Sequence, residues 1–530
     1  LLEQSTLGRG DEDAFNLDNL HDIDNGQTAL RKSVSTALQS AFACIRCLAQ
    51  LLRPSFLSND FPLDGGKNKR NDNDCRAPPS RTTALDGLRG YAAFAVMNYH
   101  VLYAYRTEVF YGYGLSPSAA IGCARPEDVH TTNRWFHQLP VVRLLYTGTW
   151  PVSVFFVISG VVLSCRPLLL QGSANGKSSD GFAKGAAATA SALLRRSFRL
   201  YGPPLVATFV TMLVIQAGGY EHGRVIAADQ TWLSVIQETH HQRFGSFGLQ
   251  FRDWARETWR MFHVFWWGDF HNRYDVHLWT VPAEFRCSLA LFLILPARPR
   301  VRKILLAFVV VYVYGLDRWD VALFYTGLLI ADTFASSPGP ASSVLPRGSV
   351  PLLARCRKLA SARLTQATKA ALLLLSLLLL SAPDFCIAQT PGYRLLGRLI
   401  PPSDPAPFRF LPNIGAILLV FLIVHTQPQS PLVSWLLNSS VPQYLGRISY
   451  SLYIVHGPLI HTAGYALFPF FWMVSGRDET WRYVSGFVIA YLALACVTVY
   501  VADRFWVLVD IPFVRLAKAC RGHLVIESEQ

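Results

Sequence analysis

The chain has 530 residues, 51% of them hydrophobic and only 16% charged, with a formal net charge of +14. An average soluble domain carries about 25% charged residues, so the composition argues against a water-soluble enzyme of several domains. The long apolar runs exclude a barrel of short alternating strands. The basic residues lie between these runs, where they set topology and meet anionic headgroups or an anionic cofactor; no nucleic-acid partner is expected.

In chain order, residues 1–80 are mostly polar and read as a disordered cytosolic region. Within them, 37–56 mixes Leu, Ile and Phe with Arg46 and Arg53, as an amphipathic helix on the membrane surface or a short soluble helix would. Residues 81–510 read as an all-α, polytopic transmembrane bundle. Spans are expected at 85–105, 148–166, 200–217, 278–297, 303–316, 319–334, 370–384, 409–427, 446–467 and 483–508. That makes about ten; 303–316 and 319–334 could instead be one broken helix with a re-entrant turn, which leaves nine. The Gly/Ser/Ala stretch 172–191 and the Pro/Ser stretch 336–350 read as flexible cytosolic loops, the basic stretch 347–369 as an inner loop, and 511–530 as a cytosolic tail.

Basic residues cluster at 166–199, 298–303 and 347–369 and in the tail, whereas 317–318, 385–408 and 473–482 are poor in them. The positive-inside rule then puts both termini in the cytosol, as an even number of spans requires. No internal repeat is detectable, which counts against an inverted-repeat transporter. The cysteines are scattered. Cys44 and Cys47 form one CxxC without a second pair, so neither a metal site nor a disulfide framework is expected.

Ionisable groups inside spans mark function by default. The first span opens with Asp86 and Arg89 and runs on to His100. Arg89 and His100 are eleven residues apart, on nearly one helix face and roughly 16 Å apart along the axis. At the mouth of the third span, Arg196 and Arg199 share a face at i, i+3. Such a pair could grip phosphates or simply anchor the span. In the fourth, His277 stands near the boundary and Glu284 at about the depth of His100. Glu284 could orient that imidazole, or hold the bundle through a salt bridge to an arginine. Tyr450, Tyr453 and His456 in the ninth are further candidates, with a packing role as the plainer reading of His456.

Five segments in order resemble the acyltransferase type 3 family. They are LDGLRG with the Arg89-x10-His100 spacing, FFVISG at 155–160, RSFRLYGPP at 196–204, HLWTVPAEF at 277–285 and LGRISYSLYIVHG at 445–457. The fourth is especially similar to the filamentous-fungal branch, with Thr280 and Pro282 where bacterial members usually show Ser. The resemblance spans 85 to about 510 and implies membrane enzymes that O-acylate sugars, natural products or lipids. It implies an acyl-CoA donor, usually acetyl-CoA, on the cytosolic side, held by Arg196, Arg199 and Arg89. It also implies His100 as general base with Glu284 assisting. Direct transfer and a covalent intermediate both remain open, as does the choice between endoplasmic reticulum and plasma membrane. The competing reading is a transporter or flippase moving a lipid or solute through the same polar cavity; a non-catalytic scaffold is a third.

Overall fold

A computed structural model describes residues 53–55, 83–125, 128–129, 133–173, 179–229, 240–268, 270–335, 352–427 and 430–524. The amphipathic segment expected at 37–56 and the CxxC at Cys44 lie almost wholly outside them. Among the described residues there is no strand, only one isolated bridge between Asn272 and Asp275. The main helices are α1 (Thr83–Tyr105), α2 (Thr149–Ser173), α3 (Ser179–Gln216), α4 (Phe247–Met261), α5 (Thr280–Ile294), α6 (Pro299–Gly315) and α7 (Trp319–Ala335). They continue with α8 (Leu352–Leu380), α9 (Pro407–His425), α10 (Ser440–Leu459), α11 (Tyr465–Ser475), α12 (Thr480–Phe505) and α13 (Ile511–Leu524).

The expected spans lie on helical segments, 446–467 running from α10 through a π-helical turn into α11 and 483–508 from α12 into another. Among the described residues four stretches, Thr149–Gln171, Gly185–Gln216, Pro407–His425 and Thr480–Cys520, are long and apolar enough to cross a membrane; Thr365–Leu380 is a shorter apolar helix. Pro299 and Pro407 open α6 and α9, where a missing N–H costs nothing. The 303–316 and 319–334 segments are two helices, parted by a turn at 316–318 in which Asp317 takes a positive φ of 59°. Two π-helical turns, Ile460–Gly464 and Trp506–Asp510, join α10 to α11 and α12 to α13.

Three stretches expected as loop or tail are helical instead. Residues 179–191 belong to α3, 352–369 to α8 and 511–524 to α13. Alanine, the strongest helix former, recurs through 183–192 and outweighs the glycine between. The last helix is held by packing against α3.

The most extensive packing is of α1 on α10 and of α2 on α7. Gly160 shows why the second pair can approach so closely: a Cβ there would lie 2.3 Å from the carbonyl oxygen of Phe324. One core cluster gathers Val154, Val157, Val161, Phe324 and Leu328 at that crossing. Another surrounds the site with Met97 of α1, Leu200 of α3, Leu278, and Ile448 and Leu452 of α10.

At the C-terminal end of α1 the chain builds a cap that composition alone did not suggest. Cys123 and Cys386 form a disulfide across 263 residues. The backbone N–H groups of Asp384 and Phe385 donate to the carbonyl of Phe110 at 3.0 and 3.1 Å. The buried Arg143 guanidinium donates to the carbonyls of Tyr111 and Val109, each at 3.0 Å. Burial pushes the Tyr111 phenol up to about 12, so it stays protonated and donates to Asp128 at 2.9 Å.

Candidate active site

Two groups of polar side chains face each other across Thr280 and Tyr453. The first lines a cavity of about 420 Å³ enclosed by α1, α2, α3, α5, α10 and α13. Its cationic lining is Arg89, Arg166, Arg195, Arg196, Arg199 and Lys518, against Glu284 as the one acidic side chain there among the described residues. The rest is largely apolar, with Val152, Phe155, Phe156, Val162 and Leu163 from α2. Such a chamber suits an elongated anionic ligand with an apolar segment.

Helix geometry sets these groups. Arg196 and Arg199 are one turn apart on α3 and present the same face to the cavity. Arg196 donates to Glu284 at 2.8 Å, and its guanidinium lies 5.9 Å from the Phe324 ring. Arg199 comes within 4.0 Å of Asp510, and Arg89 within 4.0 Å of Asp86. Tyr450 donates to the carbonyl of Leu200 with a distance of 2.5 Å, which fixes α10 to α3 at the cavity wall.

The second group is a cluster of imidazoles: the half-buried His100 from α1, and the buried His277 from the 3-10 turn Val276–Trp279 ahead of α5 and His456 from α10. His100 Nδ1 is 3.0 Å from His277 Nε2 and 3.0 Å from the Tyr103 hydroxyl. The His456 ring lies 5.2 Å from that of His100 and 4.7 Å from that of His277. His456 Nδ1 faces the carbonyl of Tyr453 at 2.6 Å, so this nitrogen carries the proton. The candidate nitrogens of the three rings lie within 4.8 Å of one another. Tyr453 connects the groups: it lines the cavity, shares a 2.7 Å hydrogen bond with Thr280, and donates to the carbonyl of His277.

The structure therefore joins the predicted residues differently from the expectation. Glu284 and His100 do not pair: Glu284 turns towards α3 and binds Arg196, the salt bridge weighed as the alternative. Equal depth by residue count says nothing about which way a side chain faces. The carboxylate in the imidazole cluster is Asp275, whose Oδ1 accepts from His277 Nδ1 at 2.9 Å. Sequence reasoning missed Asp275, although an Asp ahead of a helical run is a capping signal, and it does accept from the backbone N–H of His277 at 3.1 Å.

Helices that can cross a membrane, packed around a cationic chamber, define an integral membrane protein suited to an anionic ligand. Comparison with known proteins gives the family. The acyltransferase-domain family matches residues 82–503, so the chain belongs to the acyltransferase type 3 family and is a membrane acyltransferase. It is 30% identical over 474 residues to the O-acetyltransferase PaAT-1 of Phomopsis amygdali, covering 85% of this chain and 86% of that protein. It is 27% identical over 457 residues to acyltransferase R4 of a Phoma species (82% and 94% covered), and 24% identical over 453 residues to acyltransferase clz18 of Cochliobolus lunatus (81% and 94% covered). No solved structure matches the chain.

Proposed function

We propose that this enzyme transfers an acyl group, most simply acetyl, from acyl-CoA to a hydroxyl of a carbohydrate, lipid or natural-product acceptor. The observation that carries the reading is the cationic cavity whose far wall, Thr280 and Tyr453, is bonded directly to the histidine cluster. Arg89, Arg196 and Arg199 bind the donor's phosphates, and guanidinium forks suit this role. The apolar stretch of α2 takes the pantetheine arm and brings the thioester to Tyr453.

His100 is the general base. Its imidazole takes the proton of the acceptor hydroxyl as the oxygen attacks the thioester carbonyl. The tetrahedral intermediate collapses with cleavage of the C–S bond, and the leaving thiolate takes that proton to give free CoA. General-base catalysis of this kind is typically worth about 10²- to 10⁴-fold. Glu284 holds Arg196 in position at the cavity wall rather than acting on the imidazole. The name of the relative from Phomopsis amygdali, an O-acetyltransferase, supports hydroxyl acetylation.

Ten spans with both termini in the cytosol agree with this chemistry, because they put the arginine-lined mouth where acyl-CoA is made. The Cys123–Cys386 disulfide supports the same orientation: it caps the opposite end of α1, and disulfides persist in oxidising compartments. The test is purified enzyme in detergent, given acetyl-CoA and ethanol as a model hydroxyl acceptor, with free thiol and ethyl acetate both measured. The proposal expects the two products in equal amounts. CoA binding without turnover of any acceptor tried, together with movement of a lipid in vesicles, would favour the transporter reading.

A further inference from the structure

Asp275, His277 and His100 stand in a line of hydrogen bonds that neither the motif spacing nor the family assignment requires. Asp275 contributes Oδ1, held by the backbone N–H and the Nδ1 of His277 at 3.1 and 2.9 Å. A carboxylate only accepts, so His277 carries its proton on Nδ1 and presents a lone pair at Nε2. That lone pair faces His100 Nδ1 at 3.0 Å, a hydrogen-bond length with one proton between the two nitrogens. His100 is left with its lone pair on Nε2, as a base needs.

Two further observations mark the line as built. The side chains of His277 and Asp275 are 3% and 1% exposed, and Asp275 Oδ2 is buried with no hydrogen-bond partner among the described residues. A buried carboxylate with a bare oxygen is costly unless a positive charge answers it. Gly457 of α10 also lies against the pair: a Cβ there would sit 2.4 Å from His277 Nδ1 and 2.8 Å from Asp275 Oδ1. The glycine of the Val-His-Gly motif is thus the seat of this carboxylate–imidazole pair.

We propose that Asp275 and His277 are positioning residues that hold His100 in its working tautomer and share the charge it acquires. The inference rests on the reading of His100 as the base. When His100 Nε2 takes the acceptor's proton, its Nδ1–H stays bonded to His277 Nε2, and the Asp275 carboxylate compensates the imidazolium through His277. No group beyond the acceptor and the thioester is consumed, and the proton leaves with the thiolate. His456, Tyr453 and Tyr103 flank the line, and His461 lies 6.2 Å from the His277 ring. A metal ion held by His100, His277 and His456 is the competing arrangement. It would put both facing nitrogens about 2.0–2.1 Å from one ion with no proton between them.

The test compares Asp275→Asn, Asp275→Glu and His100→Gln with wild type in acetyl-CoA:ethanol transfer, alongside CoA binding. Asp275→Asn is expected to lose at least about 10²-fold in kcat with KM for acetyl-CoA and CoA affinity unchanged, and Asp275→Glu to recover part of the loss. Wild-type kcat in Asp275→Asn with an inactive His100→Gln would overturn the relay while leaving His100 as base. A fully active His100→Gln would remove the base itself. A further measurement, ¹⁵N spectra of histidine-labelled wild type, does not depend on any variant folding: His277 as the Nδ1–H tautomer supports the relay, and the Nε2–H tautomer overturns it. Stoichiometric zinc whose removal abolishes turnover would also overturn it, in favour of a metal centre.

Discussion

Gly457→Ala offers the sharpest structural perturbation of this site, because it adds one carbon and removes nothing. The new Cβ would lie 2.4 Å from His277 Nδ1, 2.8 Å from Asp275 Oδ1 and 3.0 Å from His277 Cε1. Comfortable carbon contacts begin near 3.5 Å, so the pair must retreat by about 1 Å. The 3.0 Å approach of His277 to His100 cannot survive such a shift unchanged. Misplacement by 1 Å can cost about 10²-fold in rate. Stability should change far less: overpacking costs about 1–3 kcal/mol, partly offset by the roughly 1 kcal/mol that alanine gains over glycine in a helix. The assay is kcat for acetyl-CoA turnover beside a melting curve in the same detergent. A kcat within twofold of wild type would show that the pair need not sit where it does, and would refute this reasoning.

Arg196→Gln and Arg199→Gln should each weaken CoA binding by about ten- to a hundredfold, as loss of a hydrogen bond to a charged group is worth about 1.5–3 kcal/mol; calorimetric titration with unchanged affinity would take that arginine out of the donor site. Gly160→Leu should force α2 from α7 at the Phe324 carbonyl, because the new Cβ would lie 2.3 Å from its oxygen. The expected loss is about 1–3 kcal/mol, and an unaltered melting temperature would contradict it. Cys123→Ser with Cys386→Ser should lower stability by about 2–5 kcal/mol; thiol titration of unfolded, unreduced wild type should find neither cysteine reactive, and reaction of both would deny the bridge.

How far the sequence could be read follows from what each inference needed. The helices carrying Arg89, His100, Arg196 and His456 were legible because each lies in an apolar run with polar flanks, and helix formation is a local matter. The turn at 316–318 was legible as a doubt, since Asp317 and Arg318 interrupt the apolar residues on either side. Pairings across the bundle were not legible. Glu284 and His100 share a depth by count, but the direction of Glu284 depends on α3 lying beside α5, and that placed Arg196 in reach. The Cys123–Cys386 bridge joins residues 263 apart and has no spacing to announce it. Asp275 stood two residues before His277 in plain view. Its role became readable only once the 3-10 turn had buried it against Gly457.

The central claim is that His100 takes the acceptor's proton, and the most direct measurement is thiol release from acetyl-CoA by purified wild type and His100→Gln at matched CoA affinity. The account predicts a loss of about 10²- to 10⁴-fold in the variant with the melting temperature unchanged. Equal rates in the two proteins would contradict it.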